Sequence, residues 1–230
     1  MHWTNIGLIL VAIFDIGVAF FVWLRNPKHR INIYFGLNLF GLGLWAFGLA
    51  MFREIETVQA VYQWGYFWTG AASISIIPFF LFCFYFPYPI FVFRGVHYFL
   101  MLASVFFISL LIFIPNLWHK DIIFYEHRNI FVENRAGHAI FVVIFILYTL
   151  ASFYILRKKL KTADGYHKFQ LKYILITSAI VVFTPLVLGI LITFYRGSTD
   201  FVWLPPFTIL PLNILGLYFI INGSVRIKLR

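Results

Sequence analysis

Apolar residues fall into seven long runs separated by short polar segments. The runs cover approximately residues 5–24, 31–52, 60–86, 97–117, 138–156, 170–194 and 203–222. Each is close to the roughly 20 residues with which an α-helix crosses a hydrocarbon core, whereas a transmembrane β-barrel alternates polar and apolar residues in segments of about ten. The pattern predicts an all-α membrane protein, with residues 1–230 forming a single bundle of seven transmembrane helices.

The composition agrees with a membrane protein. Of the 230 residues, 62% are apolar and 11% are charged, which leaves too few polar side chains to cover a soluble fold. The N-terminus lacks the basic region of a cleaved signal peptide, so we expect the first run to be retained as a helix. The single cysteine, Cys83, excludes an internal disulfide and any metal motif built from several cysteines.

The distribution of charge predicts how the bundle faces. Residues 157–168 form the densest basic segment, and short segments rich in Lys and Arg stay on the cytoplasmic side of a membrane. Alternation then places the N-terminus outside and the C-terminus in the cytoplasm. The inner side receives 13 of the 18 basic residues, namely Arg25, Lys28, Arg30, Arg94, Arg157, Lys158, Lys159, Lys161, Lys168, Lys172, Arg226, Lys228 and Arg230. Arg53 and most acidic residues fall outside, which predicts a multi-pass protein of the inner (plasma) membrane.

This orientation also accounts for the formal net charge of +10. Basic residues at the inner surface attract anionic lipid, each contributing on the order of 1 kcal/mol. The predicted partner of the basic surface is therefore the anionic inner leaflet and not nucleic acid, because no basic run is interleaved with stacking aromatic residues.

Aromatic residues concentrate toward the predicted outer side. Trp64, Trp68 and Trp203 lie near that boundary, and Trp45 lies in the outer half of the second run. One interpretation is a belt of interfacial aromatic residues. The other is an outward-opening pocket to which Gln63 and Thr69 also contribute.

Asp15 lies near the middle of the first run, where a carboxylate costs roughly 2.5–3.5 kcal/mol to insert. No predicted helix contains a buried Lys or Arg as its partner, so Asn38 and Asn213 are the predicted hydrogen-bond partners. Asp15 either bridges helices structurally or belongs to an intramembrane polar site with the two asparagines.

The longest outer segment, residues 118–138, is the only extramembrane segment long enough to order itself. It contains His119, His127 and His138 together with Asp121 and Glu126. These side-chain types could bind a transition metal, but their irregular spacing favours a solvated loop without metal.

Signatures of catalysis are absent from the sequence. There is no H-E-x-x-H, G-x-S-x-G or phosphate-binding loop motif. The seventh run has no Lys that could hold retinal as a Schiff base. We therefore predict that this chain is not an enzyme and needs no cofactor.

Glycine and proline mark packing and bending positions. The second run contains Gly36, Gly41, Gly43 and Gly48, which predict close approach by neighbouring helices. Prolines such as Pro78 and Pro185 interrupt other runs and predict kinks that could act as hinges.

Several landmarks resemble one known family. They are Asn32, residues 45–48 (WAFG), residues 65–66 (GY), residues 77–82 (IPFFLF), Asn116 and His119 in the order Asn-x-x-His, Gly137, Gln170, and the closing stretch from Tyr218 to Arg230. Their order is similar to that in the N-terminal seven-helix sensor region of bacterial membrane histidine kinases. That family continues into a linker helix and a phosphorylated histidine domain, so no catalytic residue is carried over to a chain that stops at Arg230.

The resemblance implies a two-component signal-transduction sensor that acts on a cytoplasmic kinase-type output, with a homodimer as the expected assembly. The predicted sensing residues are Trp45, Gln63, Trp64, Trp68, Asn116, His119 and Trp203. Two other classes remain open. One is a small transporter or channel with a midplane site at Asp15, Asn38 and Asn213, and the other is a structural subunit of a larger complex.

Overall fold

The structure is a computed structural model that describes the backbone of residues 2–90, 95–114, 117, 119–124, 129–192, 195 and 201–227. Within these ranges each of the seven apolar runs forms a helix. The helices are α1 (Trp3–Arg25), α2 (Arg30–Glu54), α3 (Val58–Tyr85), α4 (Gly95–Phe113), α5 (Arg135–Thr162), α6 (Gly165–Thr184) and α7 (Pro205–Ile227). A π-helical segment, Pro185–Leu191, continues α6.

The apolar helices have the lengths of membrane-crossing segments. In the described residues, α1, α2, α3, α5 and α6 with its continuation to Leu188 are long and apolar enough to cross a bilayer. The described apolar stretches of α4 and α7, Gly95–Leu110 and Pro205–Ile221, are shorter. The fold is therefore a helical bundle consistent with a multi-pass membrane protein.

The bundle is arranged around α2 and α3. Helix α2 packs against α1, α3 and α7, while α3 also contacts α4 and α5. Contacts of α5 with α6, of α6 with α7 and of α7 with α1 close the bundle. A Cβ atom at Gly43 would lie 3.1 Å from the carbonyl oxygen of Ala12, and one at Gly41 would lie 3.1 Å from Cβ of Ser75. The prediction that glycines let neighbours approach α2 closely is confirmed.

A β-hairpin occupies part of the long polar segment before α5. Strands β1 (His119–Ile123) and β2 (Ile130–Glu133) are antiparallel, with Ile122 opposite Phe131. The described part of the segment is therefore a hairpin, and the prediction of a solvated loop is wrong at Phe131, which is fully buried. Ile122, Ile130 and Phe131 are the buried apolar residues of the two strands.

Asn129 attaches the hairpin to the bundle. Its side-chain amide donates to the carbonyls of Phe52 and Ile55, each at 2.7 Å, at the end of α2. These bonds satisfy carbonyls that a helix end leaves without intrahelical partners. We call this side of the bundle the hairpin end, and the opposite side, where α5 ends and α6 begins, the basic end.

At the hairpin end, charged residues that were predicted to lie outside the helices belong to the last turn of α2. Arg53 is only 4% exposed, and its Nε donates to Oδ1 of Asn5 at 3.0 Å. The Asn5 amide donates to Oε2 of Glu54 at 2.7 Å. The side chain of Asn5 gives Arg53 and Glu54 polar partners, so the helix continues through both.

At the basic end, α5 extends to Thr162 and leaves Ala163 and Asp164 between it and α6. Arg, Lys and Leu are good helix formers, and basic side chains are favourable near a helix C-terminus, so the helix runs past the apolar segment. Lys159 is fully buried there. The prediction that Lys159 lies in a loop between two helices, and the statement that no helix contains a buried Lys or Arg, are therefore wrong.

Candidate functional site

A cavity of about 130 Å³ lies inside the bundle, between α2, α3, α5, α6 with its π-helical continuation, and α7. Helix α5 contributes His138, Phe141 and Phe145 from its first turns, so the cavity lies toward the hairpin end. Most of its lining is aliphatic or aromatic, as is usual for small-molecule sites, in which a few polar groups provide specificity.

Two tryptophans supply unusual polar groups to this lining. Trp45 of α2 and Trp68 of α3 are 7% and 5% exposed. Within the described part of the chain, neither indole Nε1 has a hydrogen-bond acceptor. Leaving a buried donor unsatisfied costs about 1–3 kcal/mol, so the two unpaired N–H groups are the distinctive feature of these lining residues.

Trp68 is held in place by aromatic neighbours. Its ring centroid lies 6.0 Å from that of Phe52 and 6.2 Å from that of Phe131. The rings of Phe52 and Phe131 stack on each other at 4.7 Å. One wall of the cavity is thus in direct contact with the hairpin.

Three other polar side chains of α2 and α3 at the cavity direct hydrogen-bond donors to the backbone. The hydroxyls of Ser73 and Ser75 donate to the carbonyls of Thr69 and Ala72, both at 2.7 Å. The amide of Asn38 donates to the carbonyl of Ser75 at 3.0 Å. The Asn38 bond ties α2 to α3, while the two serine bonds lie within α3. All three leave oxygen atoms of the side chains as acceptors.

The wall opposite α2 includes the junction between α6 and the π-helical segment. Val181 and Val182 of α6 line the cavity together with Pro185, the first residue of that segment. Proline lacks the N–H that would continue the α-helical pattern, and short π-helical stretches occur frequently at functional sites.

A second polar contact lies beside the cavity, between α1 and α7. Asn213 donates to Oδ1 of Asp15 at 2.6 Å, and the two residues are 0% and 1% exposed. The predicted Asp15–Asn213 hydrogen bond is confirmed. Asn38 is not a partner of Asp15 but bonds to Ser75, so the predicted three-residue polar site does not form.

The Asp15–Asn213 bond gives a direct stability prediction. Asp15→Leu leaves a buried Asn213 amide without its acceptor and is expected to lower the free energy of unfolding by about 1–3 kcal/mol. Asp15→Asn keeps an acceptor and adds a donor for Oδ1 of Asn213, which has no partner among the described residues. We expect that variant to stay within about 1 kcal/mol of the wild type.

Thermal unfolding in detergent measures these changes, and the double variant Asp15→Leu/Asn213→Leu is the matched control. Removing both partners costs less than removing one, since no amide is then left unpaired. Equal stability of Asp15→Leu and Asp15→Asn would contradict a structural role for the hydrogen bond.

Comparison with protein-family models, curated proteins and solved structures finds no match for this chain. The resemblance to histidine kinase sensor regions therefore stays a prediction. The site has to be interpreted from its own geometry.

Of the remaining predicted sensing residues, Gln63, Trp64 and Trp203 do not line the cavity. Gln63 is exposed, and the Trp64 ring packs against Phe67 at 5.4 Å. The Trp203 ring contacts that of Trp3 at 6.3 Å. Asn116 and the side chain of His119 lie outside the described residues. Trp45 and Trp68 are thus the predicted residues that the structure brings together.

His138 was predicted both as the first residue of the fifth apolar run and as a member of the outer segment. Asn134 caps α5 by accepting from the N–H of Ala136 at 3.0 Å, so the helix begins at Arg135 and includes His138. His138 is 4% exposed and lines the cavity, so its assignment to a solvated loop is wrong. No three metal-binding side chains cluster among the residues that the structure describes.

Proposed function

We propose that this chain is a transmembrane sensor module that binds a small molecule in the cavity and passes the signal through α7 to a cytoplasmic output of the histidine-kinase type. The proposal combines the family resemblance with the charge distribution, which favours seven spans, an outside N-terminus and a cytoplasmic C-terminus. In this orientation the cavity faces the outer half of the membrane, and the basic end faces the anionic inner leaflet.

The observation that carries the proposal is the position of α7. Leu212 lines the cavity, and the next residue, Asn213, bonds to Asp15 of α1. Two turns further, the carbonyl of Ile221 accepts from Arg25 at 3.3 Å. A single helix therefore contacts the cavity, a buried intramembrane bond and the basic end.

This arrangement gives the sensor a mechanism. A ligand that changes packing around Leu212 also bears on the neighbouring Asn213, because both lie on the same turn of α7. Occupancy then favours one of two positions of α7 relative to α1, and the ligand shifts their populations by its difference in affinity for them. Helix movements of about 1–2 Å are typical of such transitions.

The transporter alternative receives less support. It requires Asp15, Asn38 and Asn213 to form one midplane site, but Asn38 is bonded to Ser75 while Asp15 is bonded to Asn213. A hydrogen bond between Asp15 and Asn213 alone is more typical of a structural contact between two helices than of a substrate site.

Filling the cavity tests the proposal without a ligand. Ala72 lines the cavity, so Ala72→Leu places additional apolar volume where a ligand would lie. We expect the distance between spin labels at Tyr154→Cys on α5 and Tyr218→Cys on α7 to change by about 1–2 Å. Both positions are more than half exposed, and the native Cys83 is buried and so protected from labelling.

The control is Ile74→Phe, which adds volume at an exposed position of α3. It should leave the distance distribution as in the parent protein. A folded Ala72→Leu variant with an unchanged distance would overturn the proposed route through α7.

A further inference from the structure

The cavity that the proposed function uses also indicates what kind of molecule it takes. Its lining contains no charged side chain among the described residues, and its polar members are hydroxyl, amide, imidazole and indole groups. A charged ligand would lose its hydration without gaining an ion pair. The ligand is therefore neutral over the part that enters the cavity.

The hydrogen bonds that α2 and α3 already make restrict the chemical class of the ligand further. Ser73, Ser75 and Asn38 already direct donors to backbone carbonyls. The indole N–H groups of Trp45 and Trp68 are donors without acceptors in the described chain, although both side chains are more than nine-tenths buried. Indole can donate but cannot accept a hydrogen bond, so the partner that these two N–H groups lack is an acceptor.

The size of the cavity limits the body of the ligand. An apolar cavity of about 150 Å³ holds a benzene molecule, and the present cavity is close to that at about 130 Å³. The apolar rings of Phe141 and Phe145 and the side chains of Val181 and Val182 surround it. Its shape therefore suits one six-membered ring or an apolar group of similar bulk.

We propose that this cavity binds a neutral, largely apolar molecule whose carbonyl or ether oxygen accepts a hydrogen bond from the indole N–H of Trp45 or Trp68. This ligand class rests on the sensing role proposed above, because it names the molecule that would be sensed. Binding satisfies a buried donor that is otherwise unpaired and covers apolar surface at the same time.

A pair of isosteric probes tests the acceptor requirement. Cyclohexanone carries a carbonyl oxygen, and methylenecyclohexane has a CH₂ group in its place. The full chain, labelled with ¹⁵N at the tryptophan indoles and reconstituted in lipid nanodiscs, is titrated with each probe at matched membrane concentrations. We expect cyclohexanone to shift the indole N–H resonances of Trp45 or Trp68 downfield and methylenecyclohexane to leave them near their starting positions.

Three matched variants identify which tryptophan donates the hydrogen bond to cyclohexanone. Trp45→Phe and Trp68→Phe keep an aromatic ring but remove the N–H, and the one that supplies the bond should weaken cyclohexanone binding about fivefold, as expected for one neutral hydrogen bond. Trp64→Phe, one turn before Trp68 on α3 and outside the cavity, should bind as the wild type does. Equal affinity for both probes, or binding of cyclohexanone without an indole shift, would overturn the acceptor proposal.

The outcomes separate ligand class from function. An indole shift by cyclohexanone without movement of the Tyr154→Cys and Tyr218→Cys labels supports the ligand class and overturns the sensing route. Movement of those labels in Ala72→Leu together with no preference for cyclohexanone supports the route and overturns the ligand class.

Discussion

Lys159→Met is expected to cause a loss of about 3 kcal/mol in the free energy of unfolding, the scale on which a buried charge-assisted network is broken. The ammonium group of Lys159 donates to the carbonyls of Cys83, Phe84 and Phe86 at 2.9, 2.5 and 2.7 Å. All three N–H donors are thereby used. The acceptors lie at the C-terminal end of α3, where carbonyls have no intrahelical partners and the helix dipole favours a cation.

Methionine has a similar length and an apolar stem, so the variant tests the loss of the donors with little change in packing. The matched control is Lys158→Met, because Lys158 is the exposed neighbour on the same helix. Reversible unfolding in mixed detergent and dodecyl sulfate measures both. If the two variants lost the same stability, Lys159 would not be the cap of α3.

Gly65→Ala is expected to displace the hairpin from the bundle and to destabilise the protein by about 1–3 kcal/mol, as overpacking does. A Cβ atom at Gly65 would overlap the ring of Phe131, whose side chain is fully buried. The Phe131 ring cannot retreat freely, because it stacks on Phe52. The strain therefore falls on strand β2.

The control for this substitution lies on the same helix. A Cβ atom at Gly70 meets nothing within 4 Å, so Gly70→Ala should be neutral or stabilising by up to about 1 kcal/mol, since alanine is the better helix former. Amide hydrogen exchange of Ile122 and Phe131 should rise in Gly65→Ala alone. Replacing the ring in Gly65→Ala/Phe131→Leu should recover part of the loss, and failure to do so would place the strain elsewhere.

The helices were largely predictable because a long apolar run leaves few alternatives for the backbone. The ends were not. Helix α5 runs six residues beyond its predicted end at Leu156, since hydropathy falls at the first basic residue while helix propensity does not. Hydropathy alone also could not show that Lys159 finds three carbonyls on another helix.

The cavity was only partly predictable for a related reason. Concentration of tryptophan toward one end of the runs selected Trp45 and Trp68, which line the cavity. The same signal selected Trp64 and Gln63, which lie on other faces of α3. Helices that are apolar all round lack the polar stripe that reveals which face is buried, so the direction of each side chain could not be predicted.

The contact between Phe131 and Trp68 gives the hairpin and the cavity a shared wall. A contact that stabilises one position of the Trp68 indole affects both the hairpin and the cavity. Thermodynamic coupling between two sites is reciprocal. A ligand that fixes Trp68 would therefore change the affinity with which an antibody binds the hairpin. The antibody would change the affinity for the ligand by the same factor. A reagent on the hairpin and a molecule in the cavity would thus be mutual effectors without contacting each other.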